Sequence, residues 1–231
     1  MTLRTTAMVA VFALSGAAAS ATTLDFIDHI DLITGETGGD PLVFQSVHVP
    51  IETTAIGYTG SQATGITSIV GHAYADNNQA GIGVCQTLGA PVANFGSNEC
   101  ASGAGDDNLQ AGEILGFSWG ESLLVNGIGF SGESHPNDNF SKGEMFAYSL
   151  NGTDWLTGQL VAFDQTTDSG FFNFGAPLLV TAGSQLFLAY DNEQYYVAGM
   201  SVTAVPVPAA GLLLLGGLAG LGGLRMRKKA A

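Results

Sequence analysis

From Leu42 to Val205 the chain repeats one pattern: short apolar or alternating runs, each bounded by Gly, Asn, Asp or Pro. The runs cover residues 42–51, 54–60, 65–75, 80–88, 113–119, 122–130, 143–150, 158–164, 177–183, 184–191 and 195–205. In the last, Tyr196, Ala198, Met200 and Val202 fall on one face and Gly199, Ser201 and Thr203 on the other. A period of two is the mark of a strand with one face buried. Runs at this spacing, with turn signals at Asn126-Gly127 and Asn151-Gly152, predict an all-β fold. The expected architecture is a single β-sandwich, jelly-roll-like, over residues 22–204. Asp25 to Ile33 alone reads as a short helix or an opening strand.

The two ends break this pattern. The first 21 residues carry Arg4, an apolar stretch from Ala7 to Leu14 and small residues at Ala19, Ser20 and Ala21. That is the layout of a secretory signal peptide cleaved after Ala21. At the other end, Ala209 to Leu224 are 16 residues made only of Leu, Ala and Gly. As a helix they would cover about 24 Å, short of the ~30 Å hydrocarbon core. Starting at Val205 gives a transmembrane segment over 205–224, with Pro206 and Pro208 in its first turn, where proline is tolerated. Arg225, Arg227, Lys228 and Lys229 follow directly and would stay on the cytoplasmic side as a stop-transfer cluster. Six glycines make the span marginal, more a removable sorting signal than a permanent anchor.

Val205, Pro206, Val207, Pro208 and Ala209, followed by the Leu/Gly span and a basic end, resemble the VPLPA-CTERM form of the PEP-CTERM sorting domain. Val207 stands where that motif has Leu, a mild apolar change. The likeness covers only about residues 203–231. It implies export, anchoring in the inner membrane through the tail, and recognition by an exosortase-type membrane transpeptidase. The mature protein would then lie at the cell surface or outside the cell. The family occurs in Gram-negative bacteria that make exopolysaccharide. The resemblance leaves the role of the exported body open.

Charge narrows that role. All twenty acidic residues lie in residues 22–205, against one base, Lys142, a net charge of −19. Such a field excludes nucleic acid and anionic lipid surfaces as partners and suits solubility or divalent cations. Cys85 and Cys100, the only cysteines in an exported chain, are expected to form a disulfide.

Loops rich in oxygen-bearing side chains carry the best local signal for a ligand. Asp106, Asp107, Asn108 and Glu113 form one cluster; Asp76 to Gln79 and Asn137 to Asn139 are similar. Hard oxygen donors on irregular loops suit calcium, although none matches the EF-hand loop. Ordinary turn chemistry, in which Asp and Asn cap their own backbone, is the competing explanation. Gly116-Phe117-Ser118-Trp119-Gly120 fits GxSxG, but that motif needs a strand, a sharp turn and a helix. Here another strand is expected next, so no catalytic residue is assigned. His29, His48, His72 and His135 are scattered, without paired metal-ligand spacing. Trp119, Trp155, Tyr195 and Tyr196 are candidates for stacking on sugars or for core packing. Two functional readings follow: a non-catalytic surface or matrix protein binding exopolysaccharide, or a secreted hydrolase of a glycan or ester.

Overall fold

The computed structural model describes residues 20–31, 36–45, 50–68, 71–77, 79–89, 100, 107–133 and 139–205. Pro206 to Ala209, the basic cluster Arg225, Arg227, Lys228 and Lys229, residues 1–19, Asp106, His48 and His135 lie outside them.

The chain opens with β1 (Thr22–Asp25), which hands directly to the single-turn α1 (Phe26–His29). Asp25 caps that turn by accepting the Asp28 backbone N–H on its own Oδ1 at 2.9 Å. Both alternatives for this segment are therefore realised in succession. Then follow β2 (Thr37–Gly39), β3 (Leu42–Gln45), β4 (Glu52–Ser61), β5 (Gly65–Ser68), β6 (His72–Asp76) and β7 (Gly81–Cys85). The second half holds β8 (Glu113–Trp119), β9 (Leu123–Ser131), β10 (Met145–Ser149), β11 (Leu156–Gln159), β12 (Phe172–Val180), β13 (Gln185–Tyr190) and β14 (Tyr196–Ala204).

These strands make two antiparallel sheets packed face to face as a β-sandwich. The first has the order β12-β9-β14-β7-β6-β2, with β1 also on β14; the second has β11-β10-β13-β8-β4-β3, with β5 on β4. Leu115, Phe117 and Trp119 of β8 and Leu186 and Leu188 of β13 meet Val125, Ile128, Phe130 and Met200 of the first sheet in one core. A smaller cluster, with Tyr58, Ile114, Phe187 and Ala189, covers the outer face of the second sheet beneath Trp155. With both its faces covered, β8 is buried at six of its seven positions.

Several elements differ from the sequence expectation. The run 42–51 holds β3 over its first four residues, with 46–49 outside the described residues, and 65–75 divides into β5 and β6. β12 starts five residues before its apolar run, at Phe172, and β11 starts two residues before its run, at Leu156, and ends at Gln159. Asn126-Gly127 sits inside β9 rather than in a turn, and Asn126 donates to Thr203 Oγ1 at 3.0 Å. The clean alternation of β14 is also broken. A bulge between Val197 and Gly199 puts Tyr195 and Val197 in the same core as Met200 and Val202. One extra residue in a strand reverses the face of everything beyond it.

Candidate functional site

Each described residue of the loop cluster expected for calcium has partners of its own, and Asp106 lies outside the described residues. Glu113 is 1% exposed and uses its Oε2 to accept the Gln110 backbone N–H and its Oε1 to accept from Gln86, each at 3.1 Å. Asn108 donates to Gln194 Oε1 at 2.8 Å. Asp107 goes elsewhere: one oxygen each of Glu36, Asp76 and Asp107 lie within 4.8 Å of one another. Glu36, not among the expected candidates, directly precedes β2, and Asp76, from the second of the expected loop clusters, ends β6; the two strands pair antiparallel. Asp107 is carried against β7, where a side chain at Gly83 would meet the Asp107 carbonyl oxygen at 2.0 Å. Only glycine permits that approach. The Cys85–Cys100 disulfide ties the same strand end to the segment leading to Asp107, with Cα atoms 5.8 Å apart.

Two phenols complete the cluster. Tyr74 donates to Glu36 Oε1 and Tyr196 to Asp107 Oδ1. Burial, then the Glu36 hydrogen bond, pushes the Tyr74 phenol far above its usual range, so it stays a donor. Lys142 is the single base in residues 22–205, and three gathered carboxylates repel one another. Among the described residues this is the group whose chemistry suits a hard divalent cation.

A second feature lies at the end of the sandwich where β14 begins. A cleft of about 380 Å³ is lined by Gln79, Asn139, Phe163, Asp164, Gln165 and Thr166, with Ser131 beside them. Phe163 forms its apolar floor by lying over Gly129, where a side chain would meet the Phe163 ring at 2.8 Å. Asp164 organises the rim. It accepts the Thr166 backbone N–H at 2.9 Å and the Thr166 and Thr167 hydroxyls at 2.7 and 2.8 Å. These bonds, led by the Thr166 hydroxyl, hold its carboxyl below the usual range. Gln165 donates to Asp28 Oδ1 and so fastens the rim to α1. Gln79 has φ 68°, the left-handed region that a non-glycine residue enters at a cost. The lining offers amides, hydroxyls and one carboxylate over an aromatic ring, a set that can hydrogen-bond polyols.

The sugar-stacking candidates fall elsewhere. Trp119 is 2% exposed and donates to Thr53 Oγ1 at 3.0 Å; Tyr195 is fully buried and donates to the Ala189 carbonyl at 3.0 Å. Tyr196 is buried on Asp107, and Trp155 is half-buried over the outer cluster. Core packing claims them all. Ser118 of the GxSxG lies within β8, level with Thr54 and Gln185, and the next element is β9. Strand, turn and strand is not the frame of a nucleophile elbow. Phe163 was missed because its run reads as a strand, and Gln165 because it follows that run directly, whereas residues 160–169 make only isolated bridges. No family model, curated protein or solved structure matches this chain.

Proposed function

We propose that the protein is an exported, non-catalytic surface or matrix protein that is released from a C-terminal sorting tail and binds neutral polysaccharide. One observation carries the reading: the first and last strands lie just inside the two expected cleavage points. β1 starts at Thr22, the first residue after the expected signal cleavage, and β14 ends at Ala204, one residue before Val205. Removal of residues 1–21 and of the tail from about Val205 would therefore cut no strand.

The sandwich is, in our reading, a jelly roll. Support comes from the pairs β7·β14, β8·β13, β9·β12 and β10·β11. They are the pairs of one long hairpin of eight strands, which β9·β14 and β10·β13 then close into a roll. For the ligand, the Phe163 cleft supplies a stacking face and hydrogen-bonding groups, and the net charge of −19 disfavours anionic polymers.

Protein recovered from its native host should, by intact mass, lack residues 1–21 and everything from about Val205 onward. A main species retaining Arg225 to Lys229 would overturn the sorting part. Co-sedimentation with insoluble neutral glucan should exceed that with an anionic polysaccharide and weaken several-fold in Phe163→Ala. Equal retention by both polymers would overturn the glycan part.

A further inference from the structure

The chain enters and leaves the sandwich at one end. Thr22 pairs with Val202 near the close of β14, and the Val205 N–H donates to the Ser122 carbonyl at 3.0 Å in the β8–β9 turn. The β12–β13 turn joins this end through Gly183, whose N–H donates to the Trp119 carbonyl at 3.0 Å. Residues before Ser20 and after Val205 thus depart from the same pole. The polar cleft lies at the other, since Ser131 pairs with Tyr196, the first residue of β14.

Most exposed hydrophobic side chains share the tail's half of the molecule. Of the five large ones among the described residues, Leu179 (50%), Val43 (49%) and Leu150 (44%) lie there; Leu156 (60%) is level, through Tyr148 and Leu188, with Leu115 near mid-sheet, and Ile66 lies toward the other end. The register places them: Leu179 is level with Leu124 and Thr203, and Val43 is level with Thr54 and, through it, Ser118 and Gln185. Leu156 pairs with Tyr148, and with Leu150, Leu178 and Tyr148 it lines an apolar cleft of about 160 Å³. This cleft opens between β11 and β12, the last strands of the two sheets on one side. Leu150 continues the face of Phe146 and Tyr148, which points into the core, so a core-type surface is left uncovered at this pole.

We infer that this pole is a bilayer-contact surface, seated on the zwitterionic headgroup region while the tail spans the membrane. The inference rests on the reading of residues 205–224 as a membrane segment. Only Pro206, Val207 and Pro208 separate the last described residue from the Leu-rich run, a reach of at most about 14 Å. A sandwich tethered that closely brings its apolar pole to the interface, where leucine side chains gain by leaving water. Glu52 and Glu121 are exposed at the same end and, with the body's charge of −19, exclude an anionic lipid surface. The polar cleft then faces away from the membrane.

The test uses the full chain reconstituted through its own tail into phosphatidylcholine vesicles. Because both native cysteines are joined in a disulfide, Leu150→Cys, Leu179→Cys and, as control, Ser141→Cys each carry one fluorophore. Nitroxide-bearing lipid should quench the labels at 150 and 179 at least about twofold more than the label at 141. Phosphatidylglycerol in the vesicles should reduce that difference. Flotation with the vesicles but equal quenching at all three positions overturns the contact surface alone. Shielding from an aqueous quencher without lipid quenching identifies a second copy of the chain as the occupant and also overturns it. Failure to float overturns the membrane segment and this inference together.

Discussion

His29 is a titratable side chain set among rings: it is 6% exposed, and its ring centre lies 5.5 Å from that of Phe44. Its Nδ1 has no hydrogen-bond partner. Burial holds its pKa below the usual value, and a backbone hydrogen bond with Gln45 opposes this only in part. The sign follows from linkage. As pH falls through about 6.5 the unfolded chain takes up a proton at His29 while the folded chain does not, so stability drops until the lower folded pKa is passed. Above about 6.5 the residue contributes no slope. Urea unfolding from about pH 7 to about pH 5 should show this loss, and His29→Gln should flatten it. An unchanged slope in the variant would assign the loss to other groups. The sequence shows a histidine beside Phe26 and Ile27, but its burial depends on Phe44 of a different strand.

The disulfide acts at the scale of elements. It joins β7 to a residue 15 positions on, which itself bridges to Leu88. Closing a loop of that length limits the unfolded ensemble by about 3 kcal/mol. Reduction should lower the melting temperature by roughly 6–12 °C for a domain of this size. Loss of under about 1 kcal/mol, measured by urea unfolding with and without reductant, would show that strand pairing alone orders this region. The pairing of the cysteines was legible because there are only two, in a chain expected to be exported. The strands were legible where alternation is local, as in β8, whose bounds match the expected run residue for residue. β2 was not, because Thr37-Gly38-Gly39 carries no apolar pattern and becomes a strand only by pairing with β6.

At the scale of the molecule, the acidic field and the folded body meet in the cluster of Glu36, Asp76 and Asp107. Glu36 and Asp107 are 71 positions apart in the chain, so their approach belongs to the tertiary structure. A cation bound only by the folded state stabilises it by RT ln(1 + [L]/Kd), about 2.7 kcal/mol at 100 times Kd. Melting should rise in millimolar calcium beyond the effect of matched sodium chloride and fall with chelator. Glu36→Gln with Asp76→Asn should remove that difference, whereas Glu113→Gln should leave it, since Glu113 serves Gln86 and Gln110. Equal melting in calcium and in matched salt would leave the two phenols as the partners that keep these carboxylates together.

The sequence by itself determined what depends on neighbours along the chain or on composition. That includes an all-β body, most strand positions, the cysteine pair and the acidic excess. Period-two alternation, turn residues and counts are local or global sums, and both can be read without a fold. Only the tertiary structure decided which face of β14 turns inward, because the bulge between Val197 and Gly199 resets the count. It alone brought Glu36 and Asp76 to Asp107 and buried Trp119, Tyr195 and Tyr196. It also set Phe163 as a cleft floor and both chain ends at one pole. Each of these is a contact between distant residues, fixed by sheet register and by the two faces that must meet.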